Sequence, residues 1–191
     1  MPSFVGIDLA ASPKRVTGLA VVRGRSVSTK STHTDEEILN FIVAEFPEVV
    51  ALDSPLSLGR GPFRDFELAA VSKGFRLLPL TMRSMRSLAI RGMRIAHALS
   101  SLGIKVIETH PTSAVKSSGC ADVHDIIRSL DLEVVPGSMS NRHEVDAAVA
   151  ALAAMCYSAR TYYSFKGLEG ELVLLPEGLC KGACDSVRPR L

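Results

Sequence analysis

Apolar and polar positions fall along this chain in short runs that suit strands and in longer periodic stretches that suit helices. Residues 3–9 and 17–23 are apolar and rich in β-branched side chains, and Ala11-Ser12-Pro13-Lys14-Arg15 between them reads as a turn, which predicts a hairpin. Gly24 permits a second tight turn into a more polar strand around Val27 to Ser31. Thr34 followed by Glu37 forms a capping box that opens a helix through Ile38, Phe41, Ile42 and Phe46, and Pro47 ends it. Val49 to Asp53 is then a strand that is apolar up to its last residue. Pro55, Gly59, Gly61, Pro62, Gly74 and Pro79 break residues 55–80 into loops.

A long amphipathic helix follows from about Met82 to Leu102, with Met82, Met85, Leu88, Ala89, Met93, Ala96 and Leu99 on its apolar side, and then a strand from Lys105 to Glu108. Residues 111–135 give short helices and connectors. Pro136 to Ser140 leads into a helix from Asn141 to about Tyr157, and Leu172 to Leu175 suits one more short strand. The order predicts an α/β fold with a mixed five-stranded sheet, three antiparallel strands then parallel strands, and helices on both faces. With 191 residues, 47% of them hydrophobic, one domain over residues 1–176 and a polar C-terminal tail over 177–191 are expected.

Four acids interrupt or close these apolar runs: Asp8 after Gly6-Ile7, Asp53 after Ala51-Leu52, Glu108 after Val106-Ile107, and Asp146 between Val145 and Ala147. A carboxylate beside buried strands is costly unless it is paired or bound to a cation. The repetition points to a site for a hard divalent ion, Mg²⁺ or Mn²⁺, held by Asp8, Asp53, Glu108 and Asp146. If the first strand is central and the fourth lies beside it, Asp8 and Asp53 end neighbouring strands roughly 5 Å apart. Two of the acids also have a structural alternative. Asp53 precedes Ser54-Pro55 and Glu108 precedes Thr109-His110-Pro111, both contexts in which a carboxylate can serve a turn.

The motifs Gly6-Ile7-Asp8 with Thr17-Gly18-Leu19-Ala20, Leu52-Asp53-Ser54-Pro55-Leu56, Ile107-Glu108-Thr109-His110-Pro111 and His143-Glu144-Val145-Asp146-Ala147 resemble predicted nucleases of the ribonuclease H-like superfamily, the domain of unknown function 429 group. The resemblance runs from about residue 3 to about residue 176. It implies a ribonuclease H-like fold and a metal-dependent nuclease, and it implies no particular substrate. His143-x-x-Asp146 at the start of an Ala-rich helix also resembles the last motif of Holliday-junction resolvases of this superfamily, which makes His143 a candidate catalytic residue as ligand or proton donor. Asn141 and Glu144 fit the N-cap and third position of a capping box, so Glu144 has a structural job and Asp146 does not.

Basic residues are concentrated between Arg60 and Arg94. On the long helix Arg83, Arg86, Arg91 and Arg94 form one stripe roughly 140° wide without an interspersed acid, and Arg suits phosphate better than Lys. A solvated helix face is the plain alternative; phosphate contact with DNA or RNA is the functional one. The net charge of +2 adds nothing. Four cysteines of irregular spacing, Cys120, Cys156, Cys180 and Cys184, are expected as core or surface thiols in a reducing cytoplasm rather than as a disulfide framework or zinc site. The longest uncharged apolar run, Ala147 to Tyr157, is short of the ~20 residues that span a bilayer, so no membrane partner is expected. The function expected from all this is a divalent-metal-dependent phosphodiester hydrolase acting on nucleic acid. A non-catalytic nucleic-acid-binding module of the same fold is the first alternative. A phosphotransferase related to the actin-like sugar kinases is the second, although those need two copies of the fold and a second Gly-rich phosphate loop.

Overall fold

The computed structural model describes residues 1–181. In chain order its elements are β1 (Ser3–Asp8), β2 (Thr17–Arg23), β3 (Ser26–Thr32), α1 (Asp35–Glu45), β4 (Val49–Asp53), α2 (Asp65–Ser72), α3 (Arg83–Ser101), β5 (Lys105–Thr109), α4 (Pro111–Ser118), α5 (Val123–Ser129), β6 (Glu133–Val134), α6 (Arg142–Ser158), β7 (Tyr163–Gly167) and β8 (Gly170–Leu174). One sheet of eight strands runs β6-β3-β2-β1-β4-β5-β8-β7. The expected five, β1 to β5, form its centre: β1 to β3 are antiparallel, and β4 and β5 run parallel to β1.

Three further strands correct the expected count. β6 is only two residues long and parallel to β3, too short to leave a pattern. β7 buries Phe165 alone and so shows no apolar run. β8 ends in the anticipated Leu172–Leu174 and pairs with β5 through Glu108↔Leu172 and Thr109↔Val173. α2 lies inside the segment expected as loop. Its N-cap is Arg64 rather than a Ser, Thr, Asp or Asn, and the Glu67 carboxylate accepts the Arg64 backbone N–H at 2.8 Å.

Strand alternation divides the core into two layers. Phe4, Ala20, Val22, Val49, Ala51 and Ile107 face α6, with α4 and α5 on the same side, while α2 packs over β7 and β8. Val5, Ile7, Leu19, Val21, Val50 and Leu52 face α1 and α3 on the other. α6 lies very close to the sheet because both surfaces are made small. A Cβ on Gly6 would overlap the backbone of Ala147 and Ala151, and one on Gly18 would overlap the backbone of His143. The fully buried Ala147, Ala148, Ala150, Ala151, Ala153 and Ala154 complete that contact and fix the start of α6 against the end of β1.

α1 starts at the expected capping box, and hydrogen bonds from Thr34, Thr32 and His33 lower the exposed Glu37 carboxyl to about 2. Its C-cap Phe46 takes a left-handed conformation (φ 46°) and stands 88% exposed, outside the apolar face assigned to it. The cysteine expectation is corrected as well. Cys120 and Cys180 form a disulfide that ties the chain after β8 to the end of α4, where Gly178 and Cys180 N–H groups also donate to Ser117 and Ser118 carbonyls. Cys156 is a buried free thiol, and Cys184 lies outside the described residues. No helix among the described residues is long and apolar enough to cross a membrane.

Candidate active site

The C-terminal ends of β1, β4 and β5 and the N-termini of α3, α4 and α6 meet at one edge of the sheet, because each of those helices runs antiparallel to the strand beside it. In the parallel ladder of β1 and β4, Asp8 is the register partner of Asp53, so both carboxylates leave the sheet on the α6 side. His143, in the first turn of α6, places Nδ1 at 2.6 Å from Asp8 Oδ2. Asp146, one turn further, is half-buried, and its charge is felt by both Asp8 and Asp53. Arg142 Nε donates to Asp146 Oδ2 at 3.4 Å.

The electrostatics follow from that crowding. Burial pushes the Asp8 carboxyl above its ordinary value against the His143 hydrogen bond, and Asp146 adds repulsion. Asp53 is pushed well above its ordinary value by burial first and then by repulsion from Asp8, Asp146 and Glu108. By donor chemistry these three aspartates suit a hard cation such as Mg²⁺ or Mn²⁺. They do not form a finished cage: among the described residues no three His, Cys, Asp or Glu side chains stand together so as to grip a metal ion.

Glu108 does not join them as a free ligand. In the register Leu52↔Glu108 and Asp53↔Thr109, Glu108 leaves the sheet on the face opposite Asp8 and Asp53. Both of its oxygens are bonded to the fully buried Arg64, Oε1 at 2.5 Å and Oε2 at 2.8 Å, and Oε2 also accepts the Leu56 N–H at 2.8 Å. Arg64 Nη2 holds Glu67 Oε1 at 2.6 Å as well, and the two carboxylates keep the guanidinium charged against the burial that opposes it. The expectation of a fourth metal ligand at Glu108 is thereby corrected: strand alternation turns it away, and a buried Arg consumes it. Arg64 itself was missed. It sat among loop-forming glycines and prolines, and the one available signal was Glu67 three residues on.

Glu144 and Asp146 point apart, as their two-residue separation on a helix requires. Asn141 caps α6 by accepting the Glu144 N–H at 3.1 Å. The Glu144 carboxylate does not return to the Asn141 backbone. It accepts from Thr29, Ser31 and Ser140 hydroxyls and from the Ser140 N–H, and these bonds lower its carboxyl against burial.

The arginine stripe also divides. Arg83 and Arg86, at the start of α3, are exposed. Arg94 is exposed and pairs with Asp35 at 3.3 Å. Arg91 is 4% exposed and donates to Asp35 at 2.7 Å, to the Ala10 carbonyl at 2.6 Å and to the His33 carbonyl at 2.7 Å. Its expected role on a phosphate-binding surface is corrected to one of joining α3, α1 and the loop after β1. The cause is Gly92, where a Cβ would overlap the Ser54 side chain. That close approach rotates α3 so that Arg91 turns inward while Ile90 and Met93 are left exposed. His110, unassigned from sequence, lines the cavity beside Asp53 and bonds through Nδ1 to Ser113 Oγ at 2.7 Å.

No family model and no curated protein matches this chain. Solved structures do resemble it. Thermus thermophilus RuvC is 17% identical with a TM-score of 0.50, over 83% of this chain and 95% of that one. T. thermophilus RuvC in complex with a Holliday junction substrate is 18% identical with a TM-score of 0.48, over 84% of this chain and 96% of that one. At such identities a likeness shows fold alone, and the fold of this chain is a ribonuclease H-like α/β fold built on an eight-stranded mixed sheet.

Proposed function

We propose that this protein is a divalent-metal-dependent phosphodiester hydrolase acting on nucleic acid, with Asp8, Asp53 and Asp146 as the ligands of Mg²⁺ or Mn²⁺. The observation that carries the reading is the in-register placement of Asp8 and Asp53 on adjacent strands, where burial first and then repulsion from Asp146 among others raise both carboxyls. Three mutually repelling carboxylates at a sheet edge weaken a fold for no structural return, and a cation relieves that repulsion. The resemblance of the motifs to predicted nucleases of the superfamily supports the same reading. A bound ion of this kind supplies charge stabilisation at the phosphoryl oxygens and an acidified water.

The chain's own residues supply the rest. An ionised Asp8 accepting from His143 Nδ1–H fixes the ring and leaves Nε2 to take or return a proton at the edge where Asp8 and Asp53 end. The exposed Arg83 and Arg86 supply phosphate contacts beside it. Cleavage of labelled duplex DNA, duplex RNA, hybrid, single strands and four-way junctions in Mg²⁺, Mn²⁺ or chelator tests the proposal. Metal-dependent cleavage of any of these that is lost in Asp53→Asn supports it. A wild-type protein that binds these substrates and cuts none favours the non-catalytic module.

A further inference from the structure

A cavity of about 200 Å³ opens beside Asp53, between the segment before α3, the first turns of α3 and the end of β5. Leu77, Leu78, Met85 and Leu88 line its apolar part, and the carboxylates of Asp53, Glu67 and Glu108 line its polar part with Thr109 and His110. Leu78 is 55% exposed, which core packing does not account for. The frame under the cavity is rigid: the Arg64–Glu108 pair and the Leu56 N–H bond to Glu108 pin the loop after β4 to β5. Gly92 sets α3 against Ser54, whose Oγ donates to the Leu88 carbonyl at 3.1 Å.

We propose that this cavity receives a single unpaired nucleobase of the nucleic acid whose phosphodiester lies at Asp8, Asp53 and Asp146, an inference that rests on the hydrolase reading above. The volume falls below the ~300–1,000 Å³ of pockets for drug-sized ligands, so it suits one small ring system rather than an extended ligand. Apolar walls beside hydrogen-bonding groups match a base, which presents two apolar faces and a hydrogen-bonding edge. A phosphate would bring its charge against leucine, methionine and three carboxylates. The basic residues have the complementary placement. In the first turn of α3, Met85 lines the cavity while Arg83 and Arg86 on either side are exposed, so base and backbone phosphates of one strand meet apolar and cationic groups respectively. Continuous duplex keeps its bases stacked, so substrates with an unpaired nucleotide next to the cut bond are preferred.

The test uses the full chain and oligonucleotides carrying 2-aminopurine, either in a single strand or as the one unpaired base of a duplex, in chelator so that no cleavage occurs. Binding of wild type is expected to change 2-aminopurine fluorescence several-fold in both, and to leave a fully paired 2-aminopurine unaffected. Leu78→Trp, a substitution at the mouth of the cavity, is expected to abolish that change and to weaken Kd about fivefold or more, while binding persists through the phosphate contacts. An unchanged signal in Leu78→Trp, or no signal from wild type that binds the strand, overturns the cavity assignment. Parallel Mn²⁺ assays separate the two readings: base insertion without cleavage overturns the hydrolase alone, and cleavage without insertion overturns the cavity alone. Absence of nucleic-acid binding overturns both.

Discussion

Arg64 grips Glu108 through both carboxylate oxygens, at 2.5 and 2.8 Å, with neither side chain more than 8% exposed. This pair joins the start of α2 to the end of β5 and takes the last acid of the third motif out of the candidate metal set. Removing one partner of a buried ion pair strands the other. Arg64→Ala leaves Glu67 and Glu108 buried without a counter-charge and is expected to cost about 3–5 kcal/mol in urea denaturation. A loss under about 1 kcal/mol would show that the latch is not structural.

Asp53 makes a pH-dependent prediction. Its carboxyl is raised well above 3.8 in the fold, so it favours folding below 3.8, and that contribution is lost as pH rises through the raised value. Without divalent cations Asp53→Asn is therefore expected to melt higher than wild type near neutrality. The gap closes on acidification toward 3.8. Melting curves in chelator across that range check it, and a gap of the same size at every pH contradicts the repulsion.

The arginines of α3 separate by variant. Arg91→Ala strips Asp35, Ala10 and His33 of a buried partner and is expected to cost about 3 kcal/mol. The pair Arg83→Gln and Arg86→Gln is expected to leave stability within about 0.5 kcal/mol. It should also flatten the log–log salt dependence of nucleic-acid binding by about 1.8, from ~0.9 per phosphate contact. An unchanged slope reduces these two arginines to a solvated face.

Glu144 and Asp146 distinguish fold from site within one helix. The Glu144 carboxylate accepts only from donors, so an amide NH₂ in its place confronts other hydrogens. Glu144→Gln is expected to cost about 1–3 kcal/mol, more than a cap alone would suggest, and to keep cleavage in the protein that remains folded. Asp146→Asn is expected to lose cleavage by orders of magnitude with little change in melting temperature. Rates and melting curves measured side by side decide between them, and an inactive, stable Glu144→Gln reverses the two roles.

The centre of this fold was legible because its strands are apolar and its turns carry Gly and Pro, and α1 and α6 begin at recognisable caps, Thr34 and Asn141. What stayed hidden depends on partners distant in sequence. β7 gains its place by pairing with β8, and α2 begins at a buried Arg whose counter-charge lies 44 residues away. That Asp8 and Asp53 end neighbouring strands follows from strand order. The face that Glu108 leaves does not, because one residue of register decides which face of the sheet a strand-end acid leaves, and the two apolar residues before it, Val106 and Ile107, point to opposite faces. Arg91 turned inward for a reason visible only in three dimensions, the contact of Gly92 with Ser54.

Mn²⁺ binding, followed by the loss of its free electron paramagnetic resonance signal, tests the central claim most directly when wild type, Asp53→Asn and Glu108→Gln are compared at equal folded fraction. The account predicts that wild type and Glu108→Gln bind the ion alike and that Asp53→Asn binds it at least tenfold more weakly, a difference of about 1.4 kcal/mol. Equal binding by wild type and Asp53→Asn, or loss confined to Glu108→Gln, would contradict it.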